Sequence, residues 1–158
     1  MKKQSKLHKL WPTCIGEFYN PNHNEIKDDL LNYFSDYMKK NPNSRKAGEN
    51  HNLYESEYNL HTLGNESFKK LLFFISNAIL GISSEVNKSD IQNLEKPMFQ
   101  VTINGSWFIN YKKGGFVLPH THSNCSWCCV YYLQLEEDAN EDNGGTYFQK
   151  TLPARNIN

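Results

Sequence analysis

The sequence carries no surplus of either charge: 17 Lys and Arg offset 17 Asp and Glu over 158 residues. Proteins that read a phosphate backbone or an anionic bilayer need a basic excess. Neither nucleic acid nor membrane is therefore an expected partner. Long apolar runs are missing too, since a helix that crosses a bilayer needs about 20 consecutive apolar residues and no stretch comes near that. Mean hydropathy is −0.71. The basic opening Met1-Lys-Lys-Gln-Ser-Lys6 leads into no apolar segment of the kind a secretory leader requires, so a soluble cytoplasmic protein is expected. There are no internal repeats.

Cysteine is scarce, with four residues, three of them clustered at Cys125, Cys128 and Cys129. In a cytosolic chain such thiols are by default reduced and pack as small hydrophobes. Cys128 and Cys129 are adjacent and on a strand would face opposite ways, so they cannot both serve one site. Cys125-Ser-Trp-Cys128 has the spacing of a metal or redox pair.

What the chain does have is aromatic side chains, 13% of residues, each with a large area to bury. At this length a single domain with a real core is expected. Its periodicity divides it into residues 1–96, an N-terminal strand and helical buttress, and 97–158, a β-sheet region that contains His120 and His122. Leu10 to Phe18 alternates like a short strand anchored by Trp11 and Ile15. Asn22-His-Asn24 can cap a helix from Glu25, with Ile26, Leu30, Leu31, Phe34, Tyr37 and Met38 at helical spacing. After a polar loop at 41–50 and an irregular or weakly extended stretch at 53–60, a second helix starts at Asn65-Glu-Ser67. It buries Phe68, Leu71, Leu72, Ile75 and Ile79, and Gly81 is placed to end it.

From Pro97 the period becomes extended. Phe99, Val101 and Ile103 alternate, Asn104-Gly105 reads as a hairpin turn and Trp107 to Tyr111 as the return strand. Val117 to His122 and Trp127 to Leu135 read as further strands. An acidic loop at 136–143 and Thr146-Tyr-Phe148 follow. Helices first and consecutive strands afterwards predict an α+β fold, with helices buttressing a jelly-roll or barrel-like sheet.

The sharpest chemical signal is His120-Thr-His122. On an extended strand the two side chains share a face, so both can reach one metal ion. Pro119 holds the preceding residue extended, and Gly114-Gly115 supplies a turn ahead of it. The bland alternative is a pair of polar residues on an exposed strand face.

Tyr111-x-x-Gly114-x-x-x-x-Pro119-His120-x-His122 resembles the first metal-binding strand of Fe(II)/2-oxoglutarate-dependent oxygenases. More narrowly it is similar to a marine bacterial and phage type, through Trp107, Asn110, Gly114, His120, His122, Tyr131 and Tyr132, and through the opening Leu10-Trp-Pro-Thr13. The resemblance implies a double-stranded β-helix of the jelly-roll or cupin-like kind, complete or lacking part of its sheet. It also implies Fe(II) held by His120 and His122, and 2-oxoglutarate as co-substrate with Tyr111, Tyr132 and Asn110 beside it. The activity implied is a dioxygenase or hydroxylase acting on a small-molecule or peptide substrate.

The match departs from the family in two places. A carboxylate usually stands where this chain has His122. Only 36 residues follow His122, without the later histidine and basic residue that the family uses; Arg155 is the one arginine there. A third ligand is then expected from His23, His51 or His61, or from outside, through a homodimer or a complementing C-terminal segment. An inactive remnant fits the same observations. Two other readings compete. Gly114 followed by five residues and His-x-His matches the start of the cupin pattern, without its glutamate between Ser123 and Trp127. A non-catalytic zinc or interaction domain would instead combine Cys125 and Cys128 with the histidines.

Overall fold

Helix α1, His23–Lys40, begins where His23 N–H and Glu25 N–H donate to the Asn20 and Asn22 carbonyls. Asn22 occupies the cap position without a side-chain cap bond, and it is Asn20 whose side-chain oxygen accepts from Asn22 N–H at 3.0 Å. Ile26 and Leu30 are fully buried, and Phe34, Tyr37 and Met38 continue the stripe onto the same core. The computed structural model describes residues 14–43, 45, 51–88, 99–137, 139–140 and 143–148. The expected anchor Trp11 and the lone late arginine, Arg155, lie outside them. Ile15 is 61% exposed and residues 14–20 carry no strand, so the expected N-terminal strand does not form there.

Helix α2, Glu66–Val86, starts as its sequence predicts: the Asn65 side chain accepts Phe68 N–H at 2.8 Å, satisfying one of the first-turn donors. Phe68 and Leu71 are buried against α1, Leu72 and Ile75 pack on the core, and Ser67 donates to Asp29 across the helix pair at 3.1 Å. The helix does not stop at Gly81. A glycine inside a helix costs only about 1 kcal/mol relative to alanine, and buried Ser83 beyond it carries the helix to Val86.

The sheet is small. Strand β1, Leu53–Glu55, pairs antiparallel with β2, Ile109–Tyr111, in the register Leu53 with Tyr111, Tyr54 with Asn110 and Glu55 with Ile109. Backbone bonds extend the pairing as Ser56 N–H donates to Phe108 O, Ser106 N–H to Tyr58 O and Leu60 N–H to Ser106 O, at 3.0–3.1 Å. A short 3₁₀ turn, Leu60–Thr62, follows.

The return strand is thus present, but its partner is β1 rather than residues 99–103. The reason is packing. Phe108 projects from the strand onto the helices, where its ring stacks on Phe34 at 4.3 Å and on Tyr54 at 5.5 Å and meets Tyr37 edge-on at 5.7 Å. Those contacts hold β1 and β2 on the same helical floor. The Asn104 amide donates to Asn124 O at 2.6 Å instead of closing a hairpin.

Val117 to His122 and Trp127 to Leu135 join no ladder among the described residues. Extended backbone becomes a strand only where a neighbour supplies hydrogen-bond partners, and the two-stranded sheet is not closed. Leu118, Val130, Tyr132 and Leu135 in these stretches are exposed, as is Phe116 just before them, whereas Tyr131 and Leu133 pack against the core. No helix among the described residues is long and apolar enough to cross a membrane.

Candidate metal site

The site begins at a turn. Gly115 N–H donates to Lys112 O at 2.8 Å, and Gly114 sits at φ +75, the left-handed third position of such a turn that glycine adopts without a steric penalty. Asn52 clamps the turn from the β1 side: its carbonyl accepts Lys112 N–H at 3.1 Å and its side chain donates to Lys113 O at 2.7 Å. Phe116 N–H then donates to His51 O at 3.1 Å.

His120 and His122 are brought together. Their Nε2 atoms lie 3.0 Å apart and their rings meet at 74° with centroids 4.7 Å apart. His120 Nδ1 is 2.8 Å from Leu118 O. A carbonyl only accepts, so Nδ1 carries a proton, and in the neutral imidazole Nε2 is left as an acceptor, toward His122 Nε2–H or a metal in its place. Metal-bound histidines are oriented in this way, with the far nitrogen donating to a backbone or carboxylate oxygen. Two nitrogens each about 2.1 Å from one metal and at right angles to each other are about 3.0 Å apart, so the spacing fits neighbouring positions of a six-coordinate ion. Both residues are exposed, which leaves the remaining positions open.

Trp107 completes this corner, its ring 5.4 Å from that of His122. It shares a face of its strand with Ile109 and Tyr111, whereas Phe108 and Asn110 point the other way. Tyr111 therefore lies on the side that carries the histidines. Burial, then the neighbouring Tyr132 and then Glu55, push the Tyr111 hydroxyl above its ordinary 10.0. The Tyr132 hydroxyl forms a short hydrogen bond with Thr146 Oγ1. Among the described residues no hydrogen bond or ring contact joins either tyrosine to the histidine pair. Asn110 is turned away, its amide 3.5 Å from Met38 Sδ on α1.

The candidate third ligands are engaged elsewhere. His23 Nδ1 meets the Tyr131 hydroxyl at 2.7 Å, to which Asn20 also donates at 3.2 Å. His61 Nδ1 faces Ser106 Oγ at 3.1 Å, and Ser106 Oγ accepts His61 N–H at 2.8 Å. His51 packs edge-on against Phe116 at 5.0 Å. Among the described residues no three or more His, Cys, Asp or Glu side chains form a group able to hold a metal. Burial, and then the neighbouring Cys125, raise the Cys128 thiol above 9.0; burial, and then Cys128, do the same for Cys129. Among the described residues, two nitrogens thus fit a metal and no third donor joins them. An open cavity of about 490 Å³ between α1 and residues 57–63 is lined by Tyr33, Asp36, Tyr37 and Glu57 among others, and includes none of the site residues.

No family model, curated protein or solved structure matches the chain.

Two features of the site were not singled out from the sequence as parts of it. The Leu118 carbonyl has no residue-type signature. The packing of Trp107 on His122 has one in retrospect, because Trp107, Ile109 and Tyr111 alternate on the face that the histidines join.

Proposed function

We propose that this chain is an Fe(II)- and 2-oxoglutarate-dependent oxygenase, or the metal-binding portion of one, acting in the cytoplasm on a small-molecule or peptide substrate. The observation that carries the reading is the convergence of His120 Nε2 and His122 Nε2 at 3.0 Å, with the His120 proton held on Nδ1 by Leu118 O. Non-haem iron oxygenases bind the metal through a few ligands on one face and leave open positions for the reactants. When bound, the iron supplies adjoining positions for 2-oxoglutarate and dioxygen and the redox capacity to couple their reaction to substrate oxidation.

The chain's own residues do the holding and orienting. His120 and His122 occupy two neighbouring positions. Tyr111, with its hydroxyl pushed upward, stays protonated at physiological pH and is available as a hydrogen-bond donor on the same side, with Tyr132 beside it. A third donor and a basic anchor for the far carboxylate of the co-substrate come from outside the described residues, through a complementing C-terminal segment or a second copy. The exposed side chains of Phe116, Leu118, Val130 and Leu135 support this, since each would gain by burial under a covering segment. A cytoplasmic setting suits Cys125, Cys128 and Cys129, which form no disulfide.

The test is an anaerobic titration with Fe(II) followed by 2-oxoglutarate, monitoring the visible metal-to-ligand charge-transfer absorption. The band is expected with the wild-type chain and lost in His120→Ala. A wild-type chain that binds Fe(II) without developing the band on adding 2-oxoglutarate overturns a self-sufficient oxygenase and leaves a metal-binding portion or a cupin-like metalloprotein; no Fe(II) binding overturns the metal-binding reading as well.

A further inference from the structure

The two histidines are held unequally. His120 is tied to the backbone through Leu118 O, whereas among the described residues the imidazole of His122 makes no hydrogen bond except its contact with His120. Among the described residues the stretch that carries them joins no strand ladder. A metal site needs its ligand rings held close to the productive geometry by rigid neighbours, and for His122 the neighbour is aromatic. Trp107 lies against it at 5.4 Å with a 41° tilt.

Trp107 is itself fixed from both directions along the chain. Ser106 N–H donates to Tyr58 O and Ser106 O accepts Leu60 N–H on one side; on the other, Phe108 N–H donates to Ser56 Oγ and Phe108 O accepts Ser56 N–H, all at 3.0–3.1 Å. Its ring is backed by Tyr58 at 4.6 Å. The Tyr58 ring in turn lies under the Arg45 guanidinium at 3.9 Å, and its hydroxyl donates to Glu55 Oε1 at 3.2 Å. Arg45, Tyr58, Trp107, His122 and His120 therefore form one continuous ladder of face and edge contacts. It runs from the rigid β1–β2 pairing to the imidazole that lacks a hydrogen-bonded support of its own.

We propose that Trp107, backed by Tyr58, is the positioning residue for His122: it sets the plane of the imidazole so that Nε2 faces the same point as His120 Nε2. The proposal rests on the reading that the pair holds a divalent metal. It adds that the site's geometry is set from the β1 side of the molecule, by residues that touch no metal. An aromatic contact of this kind is worth about two- to tenfold in an equilibrium constant beyond the area it buries, and that is the expected loss of metal affinity when the ring is removed.

The experiment titrates Co(II), read by its visible ligand-field absorption, into the wild-type chain, Trp107→Leu, Trp107→Phe and Tyr58→Leu. In parallel, the histidine ring protons are followed by NMR without metal. In the wild-type chain the His122 Cε1 proton is expected to be displaced by the Trp107 ring current. Trp107→Leu is expected to abolish that displacement and weaken Co(II) binding about two- to tenfold, with Trp107→Phe recovering most of the affinity. Should Trp107→Leu lose its helical circular dichroism, Tyr58→Leu decides: its side chain is partly exposed and its backbone bonds do not depend on it, and weaker binding supports the proposal. Binding unchanged in the folded variants overturns the positioning role and leaves the metal reading intact. No Co(II) binding by the wild-type chain overturns both.

Discussion

Gly114 and Gly115 are adjacent in one turn and look interchangeable in sequence, yet they are expected to resist substitution for different reasons and by different amounts. At Gly114, φ is +75 and a Cβ would meet nothing within 4 Å. The cost of Gly114→Ala is purely the left-handed backbone, about 1–2 kcal/mol. At Gly115 the obstacle is steric. A Cβ would lie 3.0 Å from Lys112 O and 3.2 Å from the Asn52 carbonyl carbon, and closer still to Asn52 O. That oxygen is backbone and cannot swing aside. It also accepts Lys112 N–H, so moving it gives up a hydrogen bond worth about 1 kcal/mol on top of about 1–3 kcal/mol for overpacking. Gly115→Ala should therefore cost about 2–4 kcal/mol and displace the chain as it turns toward His120. Urea denaturation followed by circular dichroism gives both values. Gly114→Asn should cost less than Gly114→Ala, because asparagine tolerates the left-handed region. A Gly115→Ala variant as stable as wild type, or one milder than Gly114→Ala, would refute the close approach of the turn to Asn52.

Phe108→Ala removes the ring that joins both helices' core to the sheet. It should cost about 3–5 kcal/mol and lower Tm by about 6–20 °C for a chain of this size, measured by thermal melting. Asn65→Ala deletes the α2 cap that accepts Phe68 N–H and should cost about 1 kcal/mol; an unchanged urea midpoint would show that the cap does not matter. The hydroxyls of Tyr54 and Tyr58 are raised above the ordinary 10.0 chiefly by burial. Above that pH the unfolded chain loses protons that the folded chain keeps, so stability should fall as pH rises through and beyond 10. A flat stability profile between pH 9 and about 11 would contradict it.

The helices were legible because their evidence is local. Ile26, Leu30, Phe34 and Tyr37 repeat at the helical period, Asn65 is a strong cap residue, and the Gly114 turn announces itself by composition. Gly81 misled because a lone glycine signals a helix end only when nothing beyond it packs, and Ser83 does pack. The β1–β2 pairing was not legible. It joins residues more than fifty positions apart, and the segment at 53–60 lacks a clean alternation because both faces are covered: Leu53, Tyr54, Glu55 and Ser56 are all buried. What decided the partner of β2 was the packing of Phe108 among the rings of Phe34, Tyr37 and Tyr54, a tertiary fact with no local signature.

The site divides in the same way. A strand-like His-x-His predicts two imidazoles on one side, and the structure places them within 3.0 Å. Tyr111 follows by alternation. By the same alternation Asn110 had to face away, toward Met38, since it shares its face with Phe108. The tethering of His120 to Leu118 O and the support of His122 by Trp107 depend on how the chain bends after Pro119, which spacing alone does not encode.

The most direct test of the account is to count the imidazole nitrogens on one bound Cu(II) ion by electron paramagnetic resonance. Cu(II) is the divalent ion that such nitrogen sites bind most tightly. If His120 and His122 hold a single metal, the wild-type chain gives two nitrogens, and His120→Ala and His122→Ala each give one with weaker binding. Two nitrogens that persist in both variants, or a wild-type spectrum with no coordinated imidazole, would contradict a metal centre built on this pair.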